Sequence, residues 1–170
     1  MRALITVLIF LQMPSLFAAI NPEKVYQVET KKSEVYVHEG LFVGGDRAVQ
    51  DVVVKDIRCA MNAGFERLVL DLEKNTQDDN KQLERPPYFQ VSMLPLKKQL
   101  VFTLWGKPKL AFSAPKVIAA FKKSKWVNNL ELYPYLEENK WTFVVNLKTG
   151  KKLIEVFELS NPMRIIVDIR

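Results

Sequence analysis

Cysteine and histidine are almost missing from this 170-residue sequence, which has one of each. A lone cysteine, Cys59, excludes an intramolecular disulfide. Zinc hydrolysis needs several His, Cys or acidic ligands, and a nucleophilic triad would have to recruit His38, the one imidazole present. His38 sits in Tyr36-Val37-His38-Glu39-Gly40, at the end of a strand-like run, where an exposed histidine is the expected reading. Glycine is also sparse, at six residues. Its one doublet, Gly44-Gly45, lacks the lysine and helix that a phosphate-cradling loop requires. Beyond the N-terminus no apolar run is long enough to cross a bilayer. The acidic doublets Asp78-Asp79 and Glu137-Glu138 lie in polar turns, where solvated acids are expected rather than a glycosidase pair. The expectation is a protein that is not an enzyme and that holds no metal and no cofactor.

The sequence does carry a leader. Met1-Arg2-Ala3 precedes the apolar run Leu4–Leu11, and Pro14 and Ala18-Ala19 follow. One early positive charge, a short apolar run and a small-residue exit describe a secretory signal peptide over residues 1–19. The expected location is therefore secreted, in the periplasm or cell envelope, and not integral to the membrane. The formal net charge of +6 falls to about +5 without Arg2. A basic excess favours anionic partners, and secretion removes nucleic acid from that set. Cys59 follows Val53 and Ile57 in an alternating pattern, as a small buried residue on one strand face would.

Two echoing runs organise the rest. Arg67-Leu68-Val69-Leu70-Asp71-Leu72 and Arg164-Ile165-Ile166-Val167-Asp168-Ile169 both read arginine, three aliphatics, aspartate, aliphatic. Each follows turn residues, Asn62-Ala63-Gly64 and Ser160-Asn161-Pro162, and each reads as a short strand. Alternation gives each an apolar face for a core and a second face with charges at its ends. Along one strand the arginine and aspartate are about 13 Å apart, too far to pair. Were the two strands antiparallel neighbours, Arg67 would face Asp168 and Asp71 would face Arg164. With one copy in each sheet, each residue would pair within its own sheet. In either arrangement these four are structural.

Short strands separated by turn signals fill most of the chain. Val25–Val28 and Glu34–Val37 read as strands around the turn Thr30–Ser33, and Gly40 and Gly44-Gly45 read as breaks. Residues 20–51 are thus an N-terminal extension with short strands. Val52–Arg58, Tyr88–Met93 and Leu100–Trp105 are further strands, with an exposed loop over Asn75–Pro87. A meander through Leu130–Leu136, Trp141–Leu147 and Leu153–Leu159 leads to the last strand, and Pro134 marks an edge. One segment has helical spacing instead: Ser113 as cap, Pro115 early, and Val117, Ile118 and Phe121 on one side, predicting a short helix over 114–123. The expected fold is mostly β, a two-sheet β-sandwich with that one helix.

Candidate binding residues are basic and aromatic. Lys122, Lys123, Lys125 and Trp126 would make an anion-binding corner, although the same lysines complement the helix dipole and need no ligand for that. Tyr133 and Tyr135 share a strand face and, with Trp126 and Trp141, would offer a stacking platform unless they fill the core.

The run Ile57-Arg58, then Gly64-Phe65-Glu66-Arg67-Leu68-Val69-Leu70-Asp71-Leu72, resembles the opening signature of AMIN-like domains. Val156-Phe157-Glu158-Leu159-Ser160-Asn161-Pro162-Met163-Arg164-Ile165-Ile166-Val167-Asp168 resembles their ending. The resemblance covers 52–170. It implies a cell-envelope β-sandwich related to the AMIN domains that accompany N-acetylmuramoyl-L-alanine amidases and type IV pilus secretins. Those domains bind peptidoglycan. Asn62-Ala63 stands where many such sequences have His-Pro, and no zinc amidase domain accompanies this stretch, so hydrolysis is not implied. The expected partner is peptidoglycan or another anionic wall polymer; the alternative is an envelope protein complex, docked through an exposed strand edge near Pro134 without affinity for glycan.

Overall fold

Two mixed sheets pack face to face in the computed structural model, which describes residues 22–75, 83–137 and 139–170. The expected signal peptide and the centre of the 75–87 loop lie outside the described residues. The first sheet has six strands in the order β1-β2-β5-β6-β9-β8: Val25–Gln27, Gly40–Gly44, Phe89–Leu94, Gln99–Trp105, Lys140–Leu147 and Val127–Leu136. The second has five in the order β10-β11-β4-β3-β7: Ile154–Leu159, Arg164–Ile169, Phe65–Lys74, Val52–Asn62 and Lys109–Leu110. The mostly-β sandwich expected from the sequence is the fold observed, and no described helix is long and apolar enough to cross a membrane.

Alternation builds the core. Leu68, Leu70 and Leu72 on β4 and Ile165, Val167 and Ile169 on β11 face Phe89, Val91, Phe102, Trp141 and Phe143 of the other sheet, all buried. Full burial of each such side chain contributes about 1.5–3 kcal/mol. Trp141 is fully enclosed, its indole N–H donating to the Leu132 carbonyl at 2.7 Å, so it is core and no part of a binding platform.

The two signature strands are antiparallel neighbours, with Asp168 opposite Arg67 and Arg164 opposite Asp71. On their outward face Val69, Ile166 and Phe157 form a small second apolar cluster between two rows of charge. The Arg67 guanidinium lies over the Phe157 ring at 5.4 Å and helps to cover that cluster. Asp71 is held by Arg58, which donates at 2.6 and 2.8 Å, and Arg164 Nε approaches only to 3.9 Å.

Both open sides of the sandwich are closed. Helix α1, Ala114–Phe121, packs against β3 and β8 through Val117 and Phe121. Ser113 occupies the cap position without a side-chain bond, and Ile118 stays 37% exposed rather than joining the buried face. On the opposite side the N-terminal segment steps between sheets. The Val28 N–H donates to Val43 on β2, the Glu158 N–H on β10 donates to Glu29, and Val37 and Ile154 exchange bonds.

Three expectations are corrected. Glu34–Val37 is not a strand; apart from the Val37 bridge it is an irregular strap over β10. Gly40 and Gly44, read as breaks, are instead the first and last residues of β2, Gly40–Gly44: an added Cβ on Gly44 would lie 2.6 Å from Phe89 Cζ, so glycine is there for close packing. Val53 does not share a face with Ile57, because a bulge between Val54 and Asp56 shifts the register and turns Val52 and Val54 inward.

Candidate functional site

Three loops meet at one end of the sandwich: the β5–β6 turn at 95–98, the stretch 122–126 after the helix, and the β9–β10 connection at 148–153. The Lys148 N–H donates to the Trp126 carbonyl at 2.9 Å, and the Lys148 ammonium to the Ser124 carbonyl at 2.9 Å. The Leu147 N–H donates to the Lys98 carbonyl at 2.7 Å, so the strand leading into the third loop is tied to the first. A Cβ on Gly150 would collide with Pro95, so the third loop lies directly on the turn.

These loops carry Lys97, Lys98, Lys122, Lys123, Lys125, Lys148, Lys151 and Lys152, and no acidic residue. All but the partly buried Lys152 are exposed. At the middle is Trp126. Its ring lies 3.5 Å from the Lys152 ammonium, and its backbone N–H donates to the Glu66 carboxylate at 3.0 Å. Glu66 is buried and also accepts from the Ser124 hydroxyl at 2.8 Å. One carboxylate at the inner end of β4 therefore fixes the loop that presents Trp126 and its lysines. Burial, then repulsion from Lys125, lowers the Lys152 pKa, partly offset by Glu66. A cation held among cations gains when an anion arrives.

Of the sequence candidates, Lys122, Lys123, Lys125 and Trp126 are brought together here. Tyr133, 51% exposed, is six residues along β8 from Val127, roughly 20 Å away, and is not part of this end. The side chain of Tyr135 lies outside the described residues. Lys97, Lys98, Lys148, Lys151 and Lys152 join this end although no motif in the sequence marks them as site residues. Each pair or trio was visible only as a polar turn, and their convergence depends on which strands lie side by side.

The Cys59 thiol is half-buried, and burial together with the neighbouring Glu66 carboxylate pushes its pKa well up, away from thiolate chemistry. Among the described residues no three His, Cys, Asp or Glu side chains gather to hold a metal ion. No family model, no curated protein and no solved structure matches the chain.

Proposed function

We propose that this chain is a secreted, non-enzymatic module of the cell envelope that binds peptidoglycan or another anionic wall polymer through its lysine-bearing end. One observation carries the reading: three laced loops bring eight lysines and a tryptophan together without one acid of their own. A carboxylate- or phosphate-bearing polymer meets several ammonium groups at once there, and the indole supplies a flat apolar contact. The leader at 1–19 and the likeness of the two signature runs to AMIN-like domains support an envelope location. The test is co-sedimentation with purified sacculi at low and moderate salt. Retention that weakens with salt supports the proposal, and a protein left in the supernatant under both conditions refutes it.

A second reading rests on β8, which is paired on one side only and carries Pro134 within it. Such an edge accepts a strand from another protein, making the chain a docking module of an envelope complex without affinity for glycan. Crosslinking that captures one dominant protein partner at β8 favours it.

A further inference from the structure

The opposite end of the sandwich holds a cleft of about 460 Å³, lined by Arg47, Gln50, Tyr88, Gln90, Trp105 and Asn139. That volume lies within the usual range for small-ligand sites. The lining is drawn from four places in the chain. Arg47 and Gln50 precede β3, Tyr88 and Gln90 straddle the start of β5, Trp105 ends β6, and Asn139 precedes β9.

Backbone bonds hold these pieces in place. The Trp105 N–H donates to the Tyr88 carbonyl at 3.0 Å, the Gly106 N–H to the Asn139 carbonyl at 3.1 Å, and the Asp51 N–H to the Gly106 carbonyl at 2.8 Å. Gly106 has φ +86°, and a Cβ there would meet the Val49 carbonyl oxygen at 2.7 Å, so glycine is what lets the loop seal against β6.

The side chains are matched to a particular chemistry. Tyr88 and Trp105 are half-buried, with ring centroids 5.0 Å apart, and the Arg47 guanidinium covers the Tyr88 ring at 4.5 Å. The Gln90 amide N–H donates to the Tyr88 hydroxyl at 2.9 Å, which leaves the phenol proton and the Gln90 carbonyl for a ligand. The Gln50 amide N–H is used on the Arg47 carbonyl at 3.0 Å, leaving its own oxygen. Amides and a phenol that donate and accept side by side match hydroxyl groups, which also do both. An indole face matches the C–H face of a pyranose ring. The centre of the outward sheet face leading away from the cleft continues the pattern with Gln90–Thr103–Thr142 and Ser92–Val101–Val144, and charge enters only at its margin, where Lys140 pairs with Trp105 and Glu131 with Val144.

We infer that this cleft is a saccharide-binding site, taking one or two residues of an oligosaccharide against Trp105, with Tyr88, Gln90 and Gln50 as hydrogen-bonding partners. The inference is independent of the lysine-bearing end, and either can fail alone. The experiment titrates the purified chain with two probes, N-acetylglucosamine trisaccharide and cellotriose, and follows the three indole N–H signals by NMR. The expected result is a saturable shift of the Trp105 signal by at least one probe at or below about 10 mM, with Trp126 and Trp141 unmoved. Trp105→Ala is expected to weaken the shifts of neighbouring amides about tenfold, whereas combined Lys122→Ala, Lys123→Ala and Lys125→Ala leaves them intact. The Trp141 signal, buried in the core, confirms that each variant is folded. No saturable shift with either probe overturns the inference. So does a shift centred on Trp126, or unchanged affinity in a folded Trp105→Ala variant.

Discussion

Arg67 and Asp168, 101 residues apart in sequence, form a two-point ion pair across β4 and β11, with donor–acceptor distances of 2.6 and 2.7 Å. Asp168 has no exposed side-chain surface, and Lys32 from the N-terminal strap reaches its second oxygen at 3.2 Å. One carboxylate thus ties together both signature strands and the strap. Arg67→Met strands that carboxylate with Lys32 alone and is expected to cost about 2–3 kcal/mol. Lys24→Met, which removes a pair whose partners are 44% and 49% exposed at 2.6 Å, is expected to cost under about 1 kcal/mol. Urea denaturation of the two variants checks the ranking; equal losses contradict it.

Gly44 is set against both Phe89 and Glu158, with an added Cβ 2.6 Å from the ring and 2.8 Å from the carboxylate oxygen. Gly44→Ala is expected to destabilise by about 1–3 kcal/mol through overpacking. Gly64→Ala has nothing within 4 Å of the added carbon, but a φ of +84° strains it. Its cost is expected to be the smaller, about 1 kcal/mol, since only backbone strain opposes it. Thermal melts of the pair separate crowding from strain.

Glu158 supplies a pH dependence. Burial raises its pKa above the ordinary carboxylate value, against the opposing pull of the Gly45 N–H and Arg85. A raised folded-state pKa means that the protonated form stabilises the fold at low pH and that this contribution is lost as pH rises through the folded value. Glu158→Gln keeps an oxygen to accept from Gly45 and never ionises. It is expected to melt higher than the parent at neutral pH, with the advantage shrinking as pH falls through the carboxylate range. An advantage that grows on acidification contradicts this assignment.

Much of the sandwich was legible because strand alternation is local. The duplicated arginine–aspartate runs marked two core strands, and their charge spacing gave the cross-strand partners once the strands were taken as neighbours. Which of the two arrangements holds depends on the meander bringing β11 beside β4, and no residue in either run reports that. Gly40 and Gly44 do not interrupt the strand they bound, since a glycine that breaks a strand and one that lets a ring pack on it look alike in sequence. The bulge after Val54 shifted a face by one residue, and nothing in Val52-Val53-Val54-Lys55 distinguishes the two registers. At the candidate site Lys122, Lys123, Lys125 and Trp126 could be read as a group because they are contiguous. Lys97, Lys98, Lys148, Lys151 and Lys152 join them only through loop packing between distant strands.

The claim that the lysine-bearing end is what grips the wall polymer is tested most directly by two charge-matched double variants in the sacculus assay. Lys125→Glu with Lys151→Glu alters that end, and Lys55→Glu with Lys109→Glu makes the same change in net charge on β3 and β7. The expected result is that the first variant is released at low salt while the second stays bound like the parent. Equal release of both would mean that net charge, and not this end of the sandwich, governs binding, and it would contradict the account.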